Sequence, residues 1–330
     1  MQTISEVRLE LPHDEMQIKF RPDESIVFAS SSGHCNLDCS YCVASPVVKL
    51  QPSLSYEDLM FMAQRIGGKV FFIFSGRGDF FAGYRKSDRL LQRLLEHEHI
   101  AVALDVNGVV IHCFPELSDE QLKRVRHVNL TFHYQQLKSH KALQVWRDNA
   151  LRMLHRHDNP DFFVNFILSP GEAPIWREAL QWYQTEVHAH YPKALILIND
   201  VLAGFSAEQE ALLQALTQDF APILHSVRRG NFESVLKSFD HVSCAAGRTY
   251  FRVWNNGDID ACPNVSELRL IGNAKSRQFA LRADDFVCAD VRHCDCYHIA
   301  SAGRMTFYKR SASDAGPPHP SRTIAIHPAR

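Results

Sequence analysis

The 330-residue sequence contains no apolar run approaching the ~20 residues that a membrane-spanning helix needs. Its first residues lack a basic segment followed by an apolar core, so no export signal is recognised and a cytoplasmic location is expected. The formal net charge is -1, and the basic residues form no stripe of the kind that binds nucleic acid. We therefore expect neither a membrane nor a nucleic acid among its partners.

Three familiar functional signatures are also missing. There is no Ser/His/Asp nucleophile signature and no Walker-type phosphate loop, and the glycines from Gly76 to Gly83 form no dinucleotide fingerprint. The chain does carry nine cysteines. An odd number without an export signal argues against a disulfide framework and favours metal chemistry in a reducing compartment. Eight cysteines fall in two groups, and the ninth, Cys113, has apolar neighbours that predict a buried, unreactive thiol.

Short apolar segments alternate with helical segments over about two thirds of the chain. The apolar segments lack clean polar alternation, which is typical of buried parallel strands covered by helices. The predicted strands are 25–29, 70–74, 101–106, 127–132, 162–168 and 194–198. The predicted helices are 55–66, 87–97, 118–124, 138–155, 174–187 and 206–218. For the first helix, Ser55 is the predicted N-cap, Asp58 completes a capping box, and Gly67 and Gly68 end it. In such α/β folds, functional groups lie at the carboxyl ends of the strands.

The first cysteine group follows directly after the first predicted strand. Cys35, Cys39 and Cys42 lie within eight residues of one another. Three thiolates on one short loop can hold three irons of a cubane iron–sulfur cluster and leave the fourth iron open. The alternatives are half of a zinc site, although structural zinc favours C-x2-C pairs answered by a second pair or by histidines, and the remnant of a disulfide.

This C-x3-C-x2-C run, with the aromatic Tyr41 before its third cysteine, resembles the signature of the radical S-adenosylmethionine (SAM) superfamily. The resemblance implies that Cys35, Cys39 and Cys42 hold a 4Fe–4S cluster. The open iron would bind the amino and carboxylate groups of SAM, and an electron from the cluster would release a 5'-deoxyadenosyl radical. The resemblance also implies a partial (β/α)6 TIM-like barrel over residues 25–235, preceded by a short cap at residues 1–24.

The second group comprises five cysteines between residues 244 and 296. A strand over 249–254, a turn at 255–258 and a return strand over 258–261 are predicted between Cys244 and Cys262. This hairpin would bring the two thiols together. A zinc ribbon is the alternative to an iron–sulfur site, but zinc ribbons usually pair C-x2-C with C-x2-C, and this segment has neither.

The C-x12-G-x4-C spacing of this segment and the later Ile271-Gly272-Asn273 resemble the SPASM/twitch extension of radical SAM enzymes. The resemblance implies a small cysteine-rich domain over residues 236–309 with one auxiliary 4Fe–4S cluster. Its implied ligands are Cys244, Cys262, Cys294 and Cys296. Cys288 could replace one of the last two, or could act catalytically as the thiol that returns a hydrogen to a substrate radical. The tail, residues 310–330, is rich in Pro, Ser and His and is expected to be mobile.

The resemblance also implies SAM contacts at other strand ends. Ser75-Gly76-Arg77-Gly78-Asp79 stands where many members carry a Gly-Gly-Glu-Pro motif that receives the SAM amino group. Gly78 occupies the place of the glutamate, so Asp79 or backbone carbonyls are expected to take its role. The implied cofactor-binding residues are Tyr41, Gly76, Asp79, Asn107 of a Thr-Asn-Gly-like element, Thr131 and Asn165.

His133 is the candidate catalytic residue at these strand ends. By strand alternation it shares one face with Asn129 and Thr131, so all three are expected to point into the barrel. A buried histidine with a satisfied hydrogen bond is the alternative.

These features together predict a radical SAM enzyme that abstracts a hydrogen atom from its substrate. Relatives with this extension commonly modify ribosomal peptides or proteins. The expected substrate is therefore a peptide or other natural product undergoing oxidation, cross-linking or epimerisation, with an aminoglycoside or other small metabolite as the alternative. An electron donor such as flavodoxin or ferredoxin is the implied partner. The competing hypothesis is a non-catalytic iron–sulfur or zinc scaffold protein, which would bind metal without cleaving SAM.

Overall fold

The computed structural model describes residues 4–7, 20–30, 33–39, 41–42, 53–76, 78–157, 162–199, 205–228, 239, 241–262, 268–288 and 305–310. Their strands are β1 (Ile4–Val7), β2 (Glu24–Ser30), β3 (Lys69–Ser75), β4 (Ile100–Val106), β5 (Val125–Thr131), β6 (Phe162–Ile167), β7 (Ile196–Asn199), β8 (Leu224–Arg228), β9 (His241–Cys244), β10 (Tyr250–Val253), β11 (Asp258–Asp260), β12 (Gly272–Asn273), β13 (Gln278–Phe279), β14 (Phe286–Cys288) and β15 (Met305–Arg310). Their α-helices are α1 (Tyr56–Ile66), α2 (Phe80–Gly83), α3 (Leu90–Leu94), α4 (Asp119–Leu122), α5 (Tyr134–Ser139), α6 (Leu143–Arg156), α7 (Trp176–Tyr183) and α8 (Ala207–Asp219).

The strands β2 to β8 form a parallel sheet in which neighbours in sequence are also neighbours in space. Because crossovers between parallel strands are right-handed, a consecutive strand order places the connecting helices on one face of the sheet. The predicted α/β architecture is therefore confirmed. The strand β8 was not predicted, since its sequence, Leu-His-Ser-Val-Arg, has little of the apolar character of a central strand. It lies at the edge of the described sheet, where one side needs no pairing partner.

Two predicted helices are interrupted by residues with left-handed backbone. The predicted helix over 87–97 consists of a 3-10 turn and α3, and Arg89 between them has a φ of 46°. The predicted helix over 138–155 consists of α5 and α6, separated at Lys141, whose φ is 55°. A residue in this conformation ends a right-handed helix. The capping box of α1 is confirmed, because the Ser55 hydroxyl accepts from Asp58 N at 3.1 Å and the Asp58 carboxylate from Ser55 N at 2.9 Å.

The helices pack on one face of the sheet through a single apolar core. Side chains of all eight α-helices belong to it, among them Trp146 of α6 and Leu180 of α7. The sheet contributes alternate strand positions such as Val27, Phe72 and Leu104. Since successive strand residues point to opposite faces, the intervening positions face away from the helices.

The opposite face of the sheet is apolar toward the amino ends of the strands and polar toward their carboxyl ends. Toward the amino ends of the strands, Ile26, Phe71 and Ala103 pack in a second apolar cluster with Cys244 and Tyr250 from the C-terminal part of the chain. Toward the carboxyl ends, this face carries polar side chains instead. The C-terminal segment thus covers one half of this face and leaves the other half to form a cavity.

The predicted hairpin of the C-terminal segment is present, and it extends the large sheet. The strand β10 pairs in parallel with β2, with Tyr250 opposite Ile26, and β11, β12 and β13 follow in antiparallel pairing. A second, antiparallel sheet has the order β1-β15-β9-β14. The predicted domain boundary near residue 235 lies outside the described residues, and so does the predicted tail, residues 310–330, apart from Arg310, which ends β15 and pairs with Ile4.

Candidate functional site

A cavity of about 300 Å³ lies at the carboxyl ends of the parallel strands, on the side away from the helices. The ten predicted site residues that precede residue 200 all line it. Its lining comprises Cys35, Leu37, Cys39, Tyr41, Cys42, Ser75, Gly76, Gly78, Asp79, Asp105, Val106, Asn107, Asn129, Thr131, His133, Asn165 and Ile167. The side chains come from the cysteine loop after β2 and from the ends of β3 to β6, which is where function is expected in a parallel α/β sheet.

The glycine loop after β3 lies directly against the cysteine loop. Asp79 N donates a hydrogen bond of 2.7 Å to the carbonyl oxygen of His34. A Cβ atom at Gly78 would lie 2.6 Å from that same oxygen and 2.9 Å from the nitrogens of Gly33 and His34. The backbone of Gly78 also has a φ of 96°. A side chain, and therefore a glutamate, is not accommodated at position 78, because the backbone of the cysteine loop occupies the space.

Asp79 holds this region together through its carboxylate. One oxygen accepts from Ala82 N at 2.8 Å and caps α2, and the other accepts from Asn107 N at 2.6 Å. The side chain is buried, and this burial raises the pKa of Asp79 to about 6. Asp79 therefore joins the loop after β3 to the loop after β4.

Asn107, at the end of β4, extends this network to the first cysteine. Its Nδ2 donates to Asn36 Oδ1 at 2.7 Å and lies 3.5 Å from Cys35 Sγ. Its Oδ1 accepts from Val109 N at 3.0 Å. The side chain is buried. Asn107 therefore contacts the cysteine loop itself and fixes the position of the Cys35 sulfur.

Tyr41 and His133 form a stacked pair beside the second cysteine. The Tyr41 hydroxyl lies 2.7 Å from His133 Nδ1, and the ring centroids are 5.9 Å apart. Cys39 Sγ lies 3.5 Å from the same nitrogen. Burial lowers the pKa of His133 to about 4, so the imidazole is neutral at physiological pH. Burial, with the neighbouring thiols, raises the pKa of Cys39 to about 12.

Two polar residues of the cavity, Ser75 and Asp105, were not among the predicted site residues, whereas Asn129, which strand alternation predicted to point into the barrel, lines the cavity. The Ser75 hydroxyl donates a hydrogen bond to the Asp105 carboxylate. A signal for Asp105 was available, since a carboxylate inside the apolar run Ala101–Val106 is costly unless it faces a polar site. Asn165, which was predicted, is buried, and its Oδ1 has no hydrogen-bond partner among the described residues.

The charge of the cavity favours a cationic ligand. Two carboxylates, Asp79 and Asp105, line it, and the described lining residues include no lysine or arginine. His133 adds no positive charge, because burial keeps it neutral. A ligand with an ammonium or sulfonium group would therefore find compensating charge here.

The three thiols of the cysteine loop line one cavity. Within the described ranges, no group of three His, Cys, Asp or Glu side chains is placed to hold one metal ion. A cubane cluster does not require such convergence, because each thiolate binds a different iron. Cys35, Cys39 and Cys42 share one cavity without meeting at one point.

The three described C-terminal cysteines lie away from the cavity. Cys244, on β9, is buried in the second apolar cluster, and Cys262 packs against that cluster. Cys288, on β14, pairs with Val242 of β9 and is not a lining residue of the cavity. Cys294 and Cys296 lie outside the described residues. Cys113 is buried, as its apolar context predicted.

Comparison with known proteins gives no family assignment. No protein-family model matches the chain, and no curated protein matches it. Among solved structures, the crystal structure of Streptococcus suis SuiB is similar, with a TM-score of 0.42 and 12% sequence identity. That match covers 77% of this chain and 64% of SuiB. No helix in the described part of the chain is both long and apolar enough to cross a membrane.

Proposed function

We propose that this chain is a radical SAM enzyme in which Cys35, Cys39 and Cys42 hold a 4Fe–4S cluster and the adjoining cavity binds SAM. The observation that carries the proposal is the position of the three thiols. They come from one loop and line one cavity, together with polar side chains at the carboxyl ends of parallel strands. The consecutive order of the strands supports a partial (β/α)6 TIM-like barrel, to which β8 adds a seventh parallel strand.

When bound, the cluster supplies the electron that cleaves SAM into methionine and a 5'-deoxyadenosyl radical, which takes a hydrogen atom from the substrate. The residues of the cavity bind and orient SAM. Its two carboxylates compensate the positive charge of the ligand, and Asn165 Oδ1 offers a hydrogen-bond acceptor. Leu37 and Ile167 line the cavity with apolar surface that excludes water.

The predicted residues of the SAM site divide into three groups by their contacts. We propose that Gly76, Thr131 and Asn165 contact SAM, whereas Asp79 and Asn107 hold the loops that form its site. Tyr41 and His133 are already hydrogen-bonded to each other beside Cys39. Their contacts favour the alternative of a buried, hydrogen-bonded histidine, which orients the cysteine loop, over direct catalysis by His133.

We also propose an auxiliary 4Fe–4S cluster with Cys244, Cys262, Cys294 and Cys296 as ligands. The common cluster of apolar residues around Cys244 and Cys262 supports the first pair. Cys288 lies on β14, next to the strand that carries Cys244, and does not line the cavity. This position favours Cys288 as a residue of the auxiliary site over Cys288 as the thiol that returns a hydrogen to the substrate radical.

The proposed substrate is a peptide or other natural product, modified by oxidation, cross-linking or epimerisation in the cytoplasm. A small electron-transfer protein such as flavodoxin or ferredoxin would reduce the cluster. An aminoglycoside or other small metabolite is the alternative substrate.

The test is anaerobic. The protein is reconstituted with iron and sulfide, SAM and dithionite are added, and 5'-deoxyadenosine is measured by chromatography. The variant C35A/C39A/C42A should bind less iron and form no product. The matched control is C113A, which removes a buried cysteine that does not line the cavity and should leave product formation unchanged.

The possible outcomes distinguish a radical SAM enzyme from a non-catalytic scaffold protein. Product from the wild type and from C113A, but not from the triple variant, supports the radical SAM proposal. Iron bound by the wild type without product, even with peptide extracts supplied as substrate, supports the scaffold hypothesis. A protein that binds no iron after reconstitution would overturn both the cluster and the proposed reaction.

A further inference from the structure

The side chain of Asn107 reaches the sulfur of Cys35 from a different strand end. Its Nδ2 lies 3.5 Å from Cys35 Sγ, although the two residues are 72 positions apart in the chain. The distance is within the range of an N–H···S hydrogen bond. Leu37 N donates to the same sulfur, also at 3.5 Å. Cys35 Sγ therefore receives one donor from its own loop and one from the loop after β4.

The orientation of the Asn107 amide follows from its other contacts. Its Oδ1 accepts a hydrogen bond from Val109 N, and a backbone N–H can be satisfied only by the oxygen of the amide. The NH2 group must then face Cys35 and Asn36. Since the backbone nitrogen of Asn107 is also bound to Asp79, the donor is fixed in both position and direction.

The other two sulfurs have different surroundings. Cys39 Sγ faces His133 Nδ1, which it shares with the Tyr41 hydroxyl. Cys42 is exposed. Of these three sulfurs, Cys35 Sγ is the one approached by the buried amide of an asparagine, a group that donates whatever the tautomer of His133.

We propose that Asn107 is a positioning residue that donates a hydrogen bond to the Cys35 thiolate when it binds iron, and so makes the cluster easier to reduce. The inference rests on the proposed function. Reduction adds negative charge to the cluster and its thiolates, and a fixed N–H donor stabilises that charge. Hydrogen bonds to the sulfurs are one of the factors that set the reduction potential of iron–sulfur clusters.

The first test compares reduction potentials, measured by EPR-monitored titration of the reconstituted protein. N107A should decrease the equilibrium constant for cluster reduction by about tenfold, a shift of about 59 mV to more negative potential for a one-electron couple. The matched control is N149A. Asn149 donates to the carbonyl oxygens of Gly108 and Val109, so its loss disturbs the same loop without removing the donor to sulfur. N149A should leave the potential unchanged.

The second test does not depend on whether N107A folds. The N36A chain is labelled with 15N in the asparagine side chains, and its reduced cluster is studied by pulsed EPR. Asn36 is exposed, and the N36A substitution removes its labelled amide from beside Cys35. Among the described asparagines, Asn107 is then the one whose side-chain amide contacts a cysteine sulfur. A weak 15N coupling is expected.

The results distinguish this inference from the proposed function. No 15N coupling, or equal potentials for N107A and the wild type, would overturn the role of Asn107 while leaving SAM cleavage in place. A more negative reduction potential in both N149A and N107A would assign the effect to the loop and would also overturn the role of Asn107. Failure to assemble a cluster in the wild type would instead contradict the proposed function itself.

Discussion

Gly78 and Gly76 offer a matched pair for testing how closely the glycine loop approaches the cysteine loop. Their φ angles are 96° and 95°, so an alanine meets the same backbone strain at either position. The surroundings differ. A Cβ atom at Gly76 has no heavy atom within 4 Å, whereas at Gly78 it would lie 2.6 Å from His34 O.

The two substitutions should therefore differ in cost. Positive φ costs an L-residue about 1–2 kcal/mol, which applies to both G76A and G78A. In G78A, the contact to His34 O must also lengthen to the ordinary 3.4 Å or more, so one backbone must move by most of an ångström. Overpacking of this kind adds about 1–3 kcal/mol. We expect G76A to lose about 1–2 kcal/mol of unfolding free energy and G78A about 2–5 kcal/mol.

Urea unfolding of the metal-free protein measures the stability difference, and iron content after reconstitution reports on the cysteine loop. G78A should bind less iron than G76A, because the atoms that must move belong to the loop that carries Cys35. Equal losses of stability in the two variants, together with equal iron content, would refute the close packing of the two loops. A loss of iron in G76A alone would refute it as well.

Three further predictions concern stability. Burial raises the pKa of Asp79 from 3.8 to about 6, so the fold favours the protonated carboxyl and the contribution of Asp79 to stability falls as the pH rises through this range. Between pH 4 and pH 7, the unfolding free energy of the wild type, measured with urea, should fall by on the order of 3 kcal/mol relative to that of D79N, whose amide does not titrate. A difference in unfolding free energy between the two proteins that does not change with pH would contradict this. R126M should cost about 3–5 kcal/mol in urea unfolding, because it removes the guanidinium whose nitrogens lie 2.5 and 3.1 Å from the two oxygens of the buried Glu24 carboxylate; the double variant E24Q/R126M should recover part of this loss. S55A should lower the unfolding free energy by about 1 kcal/mol through loss of the α1 cap, and an unchanged midpoint would argue against that cap.

Local sequence patterns predicted the central strands and the cap of α1, because these features depend on residues that are close together in the chain. The central strands are apolar because both of their faces are covered, and the capping box at Ser55 depends on residues three positions apart. The helix breaks at Arg89 and Lys141 were not predictable, because neither residue is a usual choice for left-handed backbone. The parallel pairing of β10 with β2 joins residues more than 200 positions apart, and no local pattern encodes such a contact.

The candidate site was predictable to the extent that it depends on topology. Once the strands are placed, residues at their carboxyl ends must share one edge, which brings Cys35, Asn107, Thr131 and Asn165 to one cavity. Individual contacts were not predictable in this way. The approach of Gly78 to His34 depends on the paths of two loops. The sequence indicates this approach only by a glycine at the position where a carboxylate was expected.

Asp79 links the stability of the fold to the geometry of the candidate site. Its carboxylate caps α2 through Ala82 N and holds Asn107 through its backbone nitrogen. Asn107 in turn holds Cys35 Sγ. A residue expected from the family resemblance to bind ligand thus acts two steps away from the nearest sulfur. Because Asp79 and Asn107 are both buried and act in series on Cys35, changing either side chain disturbs the same hydrogen-bond chain, and the effects of D79N and N107A on the position of Cys35 should not be additive.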